Sequence, residues 1–144
     1  MRLPDVNVLI AAFRPESPGH AVCRPWLDAT VVSPLPFAIS PLSLAAVVRI
    51  TTGRKFYGAP SSLADAIGFC DDVAANPNCR VVEPGHRHWE IFRALCVDTN
   101  TTGSTVTDAW YAALSIEHGC EWITLDRDFA RFPGLRWAPP TPPA

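Results

Sequence analysis

The chain has 144 residues, 48% hydrophobic and 18% charged, a balance that fits one globular domain with a real core and excludes a disordered chain. A formal net charge of −2 and a pI near 6.0 exclude a protein that coats nucleic acid by bulk positive charge, so any RNA must be held by local arginines. No apolar run approaches the ~18–20 residues that span a bilayer; the longest, Leu42 to Ile50, is too short and carries Arg49.

The opening MRLPDVNVLIAAFRP superficially resembles a secretion signal, but Asp5 and Asn7 interrupt its basic-then-apolar pattern. It reads instead as a strand over Arg2–Pro4, with Asp5 at its end, running into a helix over Val6–Phe13 that Pro15 stops. The expected address is the cytoplasm. A second helix is expected over His20–Leu27, a strand over Leu35–Ser40, and a helix over Pro41–Thr51 with proline in its first turn. Thr52–Pro60 reads as a loop bearing Arg54 and Lys55. Ser62 with Asp65 three residues on is a capping-box pattern, opening a helix to Ala75. A strand over Cys79–Val82 follows, then a helix with Trp89, Phe92, Leu95 and Cys96 on one side. Ala109, Ala112, Ala113 and Ile116 have helical spacing and mark a helix over Thr105–His118, which Gly119 ends. Strands are expected over Glu121–Leu125 and within Phe132–Trp137. Residues 1–138 read as one domain and 139–144 as an extended Pro-rich tail.

Short strands alternating with helices of about ten residues predict an α/β fold with a central, mostly parallel sheet and right-handed crossovers. Ligands of such sheets bind beyond the carboxyl ends of the strands. Asp5 and Asp126 stand at two such ends and Asp108 opens a helix beside them. Carboxylates gathered there repel, and a hard divalent cation relieves the repulsion. Each acid also has a structural reading. Asp5 suits the N-cap of its helix, Asp108 completes a Thr105-x-x-Asp108 capping box, and Asp126 with Asp128 suits a turn after a strand. Asn7 is placed to orient carboxylates, Thr107 or Ser104 to offer a hydroxyl near the ion, and Asp128 to stand at the periphery.

Cys23, Cys70, Cys79, Cys96 and Cys120 are odd in number and lack CxxC spacing, so they are expected to be reduced. His86 and His88 flank Arg87 as a polar helix entry, while His20 and His118 read as structural or exposed.

The segments LPDVNVLIAA, VRITT at Val48–Thr52, VTDAWYAALSIEHG at Val106–Gly119 and WITLDRDFARFPGLRW at Trp122–Trp137 carry a resemblance in their order and spacing. Over nearly its whole length the chain resembles the PIN-domain ribonucleases, and among them the VapC-type toxins of type II toxin–antitoxin pairs. The resemblance implies a three-layer α/β/α sandwich and a Mg²⁺- or Mn²⁺-dependent endoribonuclease acting on structured RNA such as tRNA or rRNA. It implies 5′-phosphate and 3′-hydroxyl products, a homodimer and a cognate antitoxin. Asp5, Asp108 and Asp126 match the family's metal-binding acids, with Asn7 and Thr107 as supporting positions. One departure matters: many relatives carry a glutamate where this chain has Ala46, which predicts weaker metal binding, one ion rather than two, or a replacement from elsewhere.

Arg54, Lys55, Arg127 and Arg131 are candidates to hold the RNA backbone, or else ordinary solvated cations. Five tryptophans in a small domain suggest apolar surface left for partners. Two rival functions stand beside the nuclease. One is a phosphohydrolase that forms an aspartyl-phosphate, weakened by Asn7 where a second aspartate is usual. The other is a PIN-like RNA-binding module that lost catalysis with the missing glutamate.

Overall fold

A computed structural model describes residues 1–141. Its elements run β1 (Arg2–Pro4), α1 (Val6–Phe13), α2 (His20–Val32), β2 (Phe37–Ile39), α3 (Pro41–Thr51), α4 (Leu63–Ala74), β3 (Cys79–Val81), α5 (His88–Thr99), α6 (Val106–Glu117), β4 (Glu121–Ile123) and β5 (Trp137–Ala138). The sheet order is β3-β2-β1-β4-β5, and every neighbouring pair is parallel. β1 is therefore central, and the residue that follows it emerges in the middle of the sheet's carboxyl edge.

Successive strand side chains alternate between faces, so each strand feeds two cores. Phe37, Ile39 and Ile123 pack with α1 to α4. Leu3, Ala38 and Trp122 pack with α5 and α6 on the other face. Helices on both faces make the three-layer sandwich that the resemblance implies.

An aromatic ladder ties three elements together. Tyr111 of α6 stacks on Trp122 of β4 at 5.3 Å, Trp122 meets Phe129 at 5.4 Å, and Phe129 meets Phe132 at 5.8 Å. These rings hold the middle of α6 and the short 3₁₀ turn Arg127–Arg131 against the same strand.

Several boundaries differ from expectation. α2 continues through Asp28 to Val32 despite Pro25. Thr30 is buried there, its hydroxyl donating to Trp26 O, so packing carries the helix past the point where the sequence pattern fades. On α5, Trp89 points outward, 69% exposed, and His88 points inward with Nε2 3.0 Å from Trp110 O. The expected last strand begins only at Trp137, because Phe132 is claimed by the aromatic ladder. The Ser62 cap holds, its Oγ accepting from Asp65 N–H at 3.1 Å. The Thr105 cap does not: its hydroxyl donates instead to Thr102 O at 2.8 Å. All five cysteines are free. Pro140 of the expected tail is buried, and residues 142–144 lie outside the described residues.

Candidate active site

Asp5 follows β1 directly and is the N-cap residue of α1. Its backbone is fully used: the N–H donates to Ile123 O at 2.8 Å and the C=O receives the Val8 and Leu9 N–H groups at 3.1 Å. Its side chain makes no well-formed capping bond, although the Val6 and Asn7 N–H groups stand near enough to favour the carboxylate. The side chain is instead turned along the sheet edge, where Thr124 Oγ1 donates to Asp5 Oδ2 at 2.6 Å.

Register explains this contact. Pro4 stands opposite Ile123, so the next residues, Asp5 and Thr124, are neighbours across β1 and β4. Arg2 stands opposite Phe37, and counting three residues on from both puts Asp5 beside Ser40 on its other flank. By alternation, Asp5, Ser40 and Thr124 continue the face of Leu3, Ala38 and Trp122, the face covered by α6.

Thr124 is the hub of a network. Its oxygen accepts from Asn7 Nδ2 at 3.1 Å and from the Asp126 N–H at 3.0 Å while its hydrogen goes to Asp5. Asn7 Oδ1 in turn accepts the Leu125 N–H at 3.2 Å. Asn7 thus orients the acids through Thr124 and the backbone after β4, not by touching a carboxylate. The sequence reading missed Thr124; its place directly across from Asp5, one residue beyond β4, was the available signal.

Burial pushes the Asp5 carboxyl up to about 6, against the Thr124 hydrogen bond that favours its charge, with the negative charge of Asp108 adding to the rise. Asp108, in the first turn of α6, is also raised by burial and by the charges of Asp126 and Asp128, and is lowered by Arg131. The three expected acids therefore feel one another in a chain from Asp5 to Asp108 to Asp126. They do not form a closed cage: among the described residues no three His, Cys, Asp or Glu side chains are gathered tightly enough to hold an ion as they stand. Asp126 caps the 3₁₀ turn by accepting the Asp128 N–H at 2.8 Å, and Asp128 is exposed. Thr107 is exposed and makes no hydrogen bond among those of the described residues.

Arg131 is nearer the site than expected. Its Nη2 is 3.2 Å from Asp108 Oδ2, with each side chain 31% exposed, and its guanidinium lies 4.6 Å over the Phe132 ring. Arg127 is exposed beside it. Arg54 and Lys55 are exposed on the loop after α3. Arg49 was not singled out from the sequence, yet its charge reaches Tyr111 on α6 and it stands 6.0 Å over Phe56. Three of the four histidines, His20, His88 and His118, contact the carbonyl oxygens of Ala11, Trp110 and Glu83, and His86 is exposed.

The donor set is all oxygen: a buried carboxylate lacking a cationic partner among the described residues, two further carboxylates, and hydroxyls. That chemistry suits a hard divalent ion, which needs only one or two carboxylates when it keeps several waters. Asp5 and Asp108 could hold such an ion, with Asp126 next along the chain of interacting charges.

The PIN domain family model matches residues 2–135. Ribonuclease VapC25 of Mycobacterium tuberculosis is 41% identical over 136 residues, covering 94% of this chain and 96% of that protein. Ribonuclease VapC31 of the same species is 39% identical over the same span, with the same coverage. The VapC ribonuclease Mb2897 of Mycobacterium bovis is 37% identical, covering 94% of this chain and 92% of its own. Two solved structures share the fold. VapBC2 from Rickettsia felis, bound to a promoter DNA fragment, has a TM-score of 0.70 at 14% identity and covers 96% of this chain and 97% of its own. The sarcin-ricin loop cleaving toxin VapC20 of M. tuberculosis has a TM-score of 0.67 at 15% identity, covering 94% of this chain and 99% of its own.

Proposed function

This chain belongs to the PIN-domain family, and we propose that it is a divalent-metal-dependent endoribonuclease of the VapC kind, the toxin of a toxin–antitoxin pair. The observation that carries the reading is the buried Asp5 carboxylate, facing the charge of Asp108 at the carboxyl edge of a parallel sheet, in a chain matched nearly end to end by ribonucleases. Mg²⁺ is the ion we assign, with Mn²⁺ as its substitute. When bound, the cation supplies Lewis acidity and stabilises charge developing on the phosphate oxygens.

The chain's own residues do the rest. Asp5 anchors the ion, and Thr124 holds the carboxylate in one orientation through Oδ2. Asn7 and the Asp126 N–H fix Thr124 in turn. Arg131 favours the charged form of Asp108 against the burial that opposes it, and has further N–H groups to offer a phosphate. Arg49, Arg54, Lys55 and Arg127 extend the cationic surface along which an RNA backbone runs. The substrate class is a structured RNA, tRNA or rRNA.

The cognate antitoxin is the protein partner, and solved VapBC complexes share this fold. Exposed Val32 and Leu35 on one side, and Trp89 and Val97 on α5, leave apolar surface for an antitoxin and for a second copy of the chain. No helix of the described residues is long and apolar enough to cross a membrane.

Ala46 favours a second reading, an RNA-binding module with little catalysis. Incubation of structured RNA with Mg²⁺ or with EDTA, for wild type, Asp5→Ala and Asp108→Ala, separates the two. The nuclease reading requires cutting that depends on the ion and on both acids; undiminished cutting by either variant ends it, and intact RNA under all conditions supports the binding module.

A further inference from the structure

On one flank of Asp5 stands Thr124, whose hydroxyl makes three hydrogen bonds and has no capacity left. On the other flank the situation is reversed. Ser40 and Ser43 are 1% and 0% exposed, and neither Oγ has a hydrogen-bond partner. Ser40 is the N-cap residue of α3, where a serine normally accepts an N–H of the first turn, yet it makes no capping bond. Ser43 lies beside the Tyr111 hydroxyl, close enough to favour the phenolate, but not in well-formed hydrogen-bond geometry. Tyr111 in turn feels the charge of Asp5, and the β1–β2 register sets Ser40 beside Asp5, so the two serines and the phenol are each linked to the neighbourhood of that carboxylate.

A buried hydroxyl without a partner is costly, and alanine would avoid the cost at either position. Two such hydroxyls together, beside a buried carboxylate, call for donors that the polypeptide does not supply. Ser43 and Ala46 are three residues apart on α3 and so share one helical side, the side on which the missing glutamate would stand. The polar groups that this chain keeps there are serine hydroxyls.

We propose that Ser40 and Ser43 form the polar wall that Ala46 leaves without a carboxylate, their hydroxyls accepting hydrogen bonds from the water shell of a divalent cation anchored on Asp5. The proposal rests on the reading of Asp5 as a cation anchor. It implies a site with one carboxylate-rich side and one hydroxyl side, able to hold a hydrated ion but not to strip it. Each hydroxyl can accept two hydrogen bonds and donate one, which suits the water of a hydrated ion better than direct coordination.

The test is Mn²⁺ titration of the full chain by calorimetry without RNA, alongside thermal melting in EDTA, for wild type, Asp5→Asn, Ser40→Ala, Ser43→Ala and the double serine variant. The expected result is loss of Mn²⁺ binding in Asp5→Asn and an affinity roughly three- to tenfold weaker in the double variant. The serine variants should melt in EDTA at or above the wild-type temperature, because each loses an unpartnered buried hydroxyl. Wild-type affinity in the double variant, with binding lost in Asp5→Asn, overturns the proposal and leaves the Asp5 reading intact. Equal binding by Asp5→Asn and wild type overturns the Asp5 reading itself. A serine variant that melts lower in EDTA while keeping wild-type Mn²⁺ affinity assigns that hydroxyl a structural role and overturns its part in the wall.

Discussion

The Thr124 hydroxyl lies 2.6 Å from Asp5 Oδ2 and joins two loops more than a hundred residues apart in the chain. Among the described residues it is the one side chain that hydrogen-bonds Asp5, Asn7 and the backbone of Asp126 together. Replacing it with valine keeps the shape and strands all three groups. Thr124→Val should cost about 2 kcal/mol in chemical denaturation, and Thr124→Ser should recover most of it. Because the hydroxyl favours the Asp5 carboxylate, the valine variant should also need a higher pH to bind Mn²⁺.

Asp5 should contribute less to the stability of the ion-free protein at neutral pH than in mild acid. Its carboxyl is raised from 3.8 to about 6 in the folded chain, so its contribution is fully present below about pH 4 and is lost as pH rises through about 6. The loss is on the order of 2–3 kcal/mol, about two units at ~1.4 kcal/mol each. The difference in melting between wild type and Asp5→Asn isolates this group from other titrations. In EDTA the asparagine variant should melt higher than wild type at pH 7.5 and no higher at pH 4. A difference independent of pH would contradict the assignment.

Arg131 and Arg127 sit four residues apart and should behave differently. Arg131 pairs with Asp108, whereas Arg127 is exposed. Without Arg131, burial and the charges of Asp126 and Asp128 raise the Asp108 carboxyl without opposition. Arg131→Ala should therefore shift the acid limb of the cleavage pH profile upward and slow cleavage at neutral pH at least ~10-fold. Arg127→Ala should raise KM by roughly two- to threefold and leave the profile in place.

Arg14 pins the loop that carries Arg54 and Lys55. Its buried guanidinium bonds Ser61 Oγ at 2.7 Å and Ala59 O at 2.9 Å, pairs with Glu16, and lies 3.8 Å over the Tyr57 ring. Arg14→Ala should destabilise the fold by about 3 kcal/mol in urea unfolding. At a temperature where the variant is folded, KM for RNA should rise with little change in kcat if the loop cations hold the backbone.

The periodicity of the helices and the positions of Asp5, Asp108 and Asp126 were legible in the sequence because each lies on a local pattern: a strand end, a helix start, a turn. α3 matches its expected bounds, Pro41–Thr51, since proline opens it. What was not legible depends on cross-strand register. Thr124 and Ser40 read as strand residues like any other until β4 and β2 are set beside β1. Trp89 and His88 exchanged places for a similar reason: helical spacing groups Trp89 with Phe92, Leu95 and Cys96 and leaves His88 in the polar entry, but the contact with α6 selected the histidine. Arg131 reads from the sequence as an RNA-backbone candidate or a solvated cation, because nothing local reveals that the aromatic ladder swings its turn toward Asp108.

The most direct test of the shared ion site is anomalous diffraction from crystals of the full chain soaked in Mn²⁺. A strong peak within coordination distance of the Asp5 carboxylate, on the side facing Asp108, is the predicted result. Ordered Mn²⁺ found only away from Asp5, or a clean map at that position under saturating Mn²⁺, would contradict it.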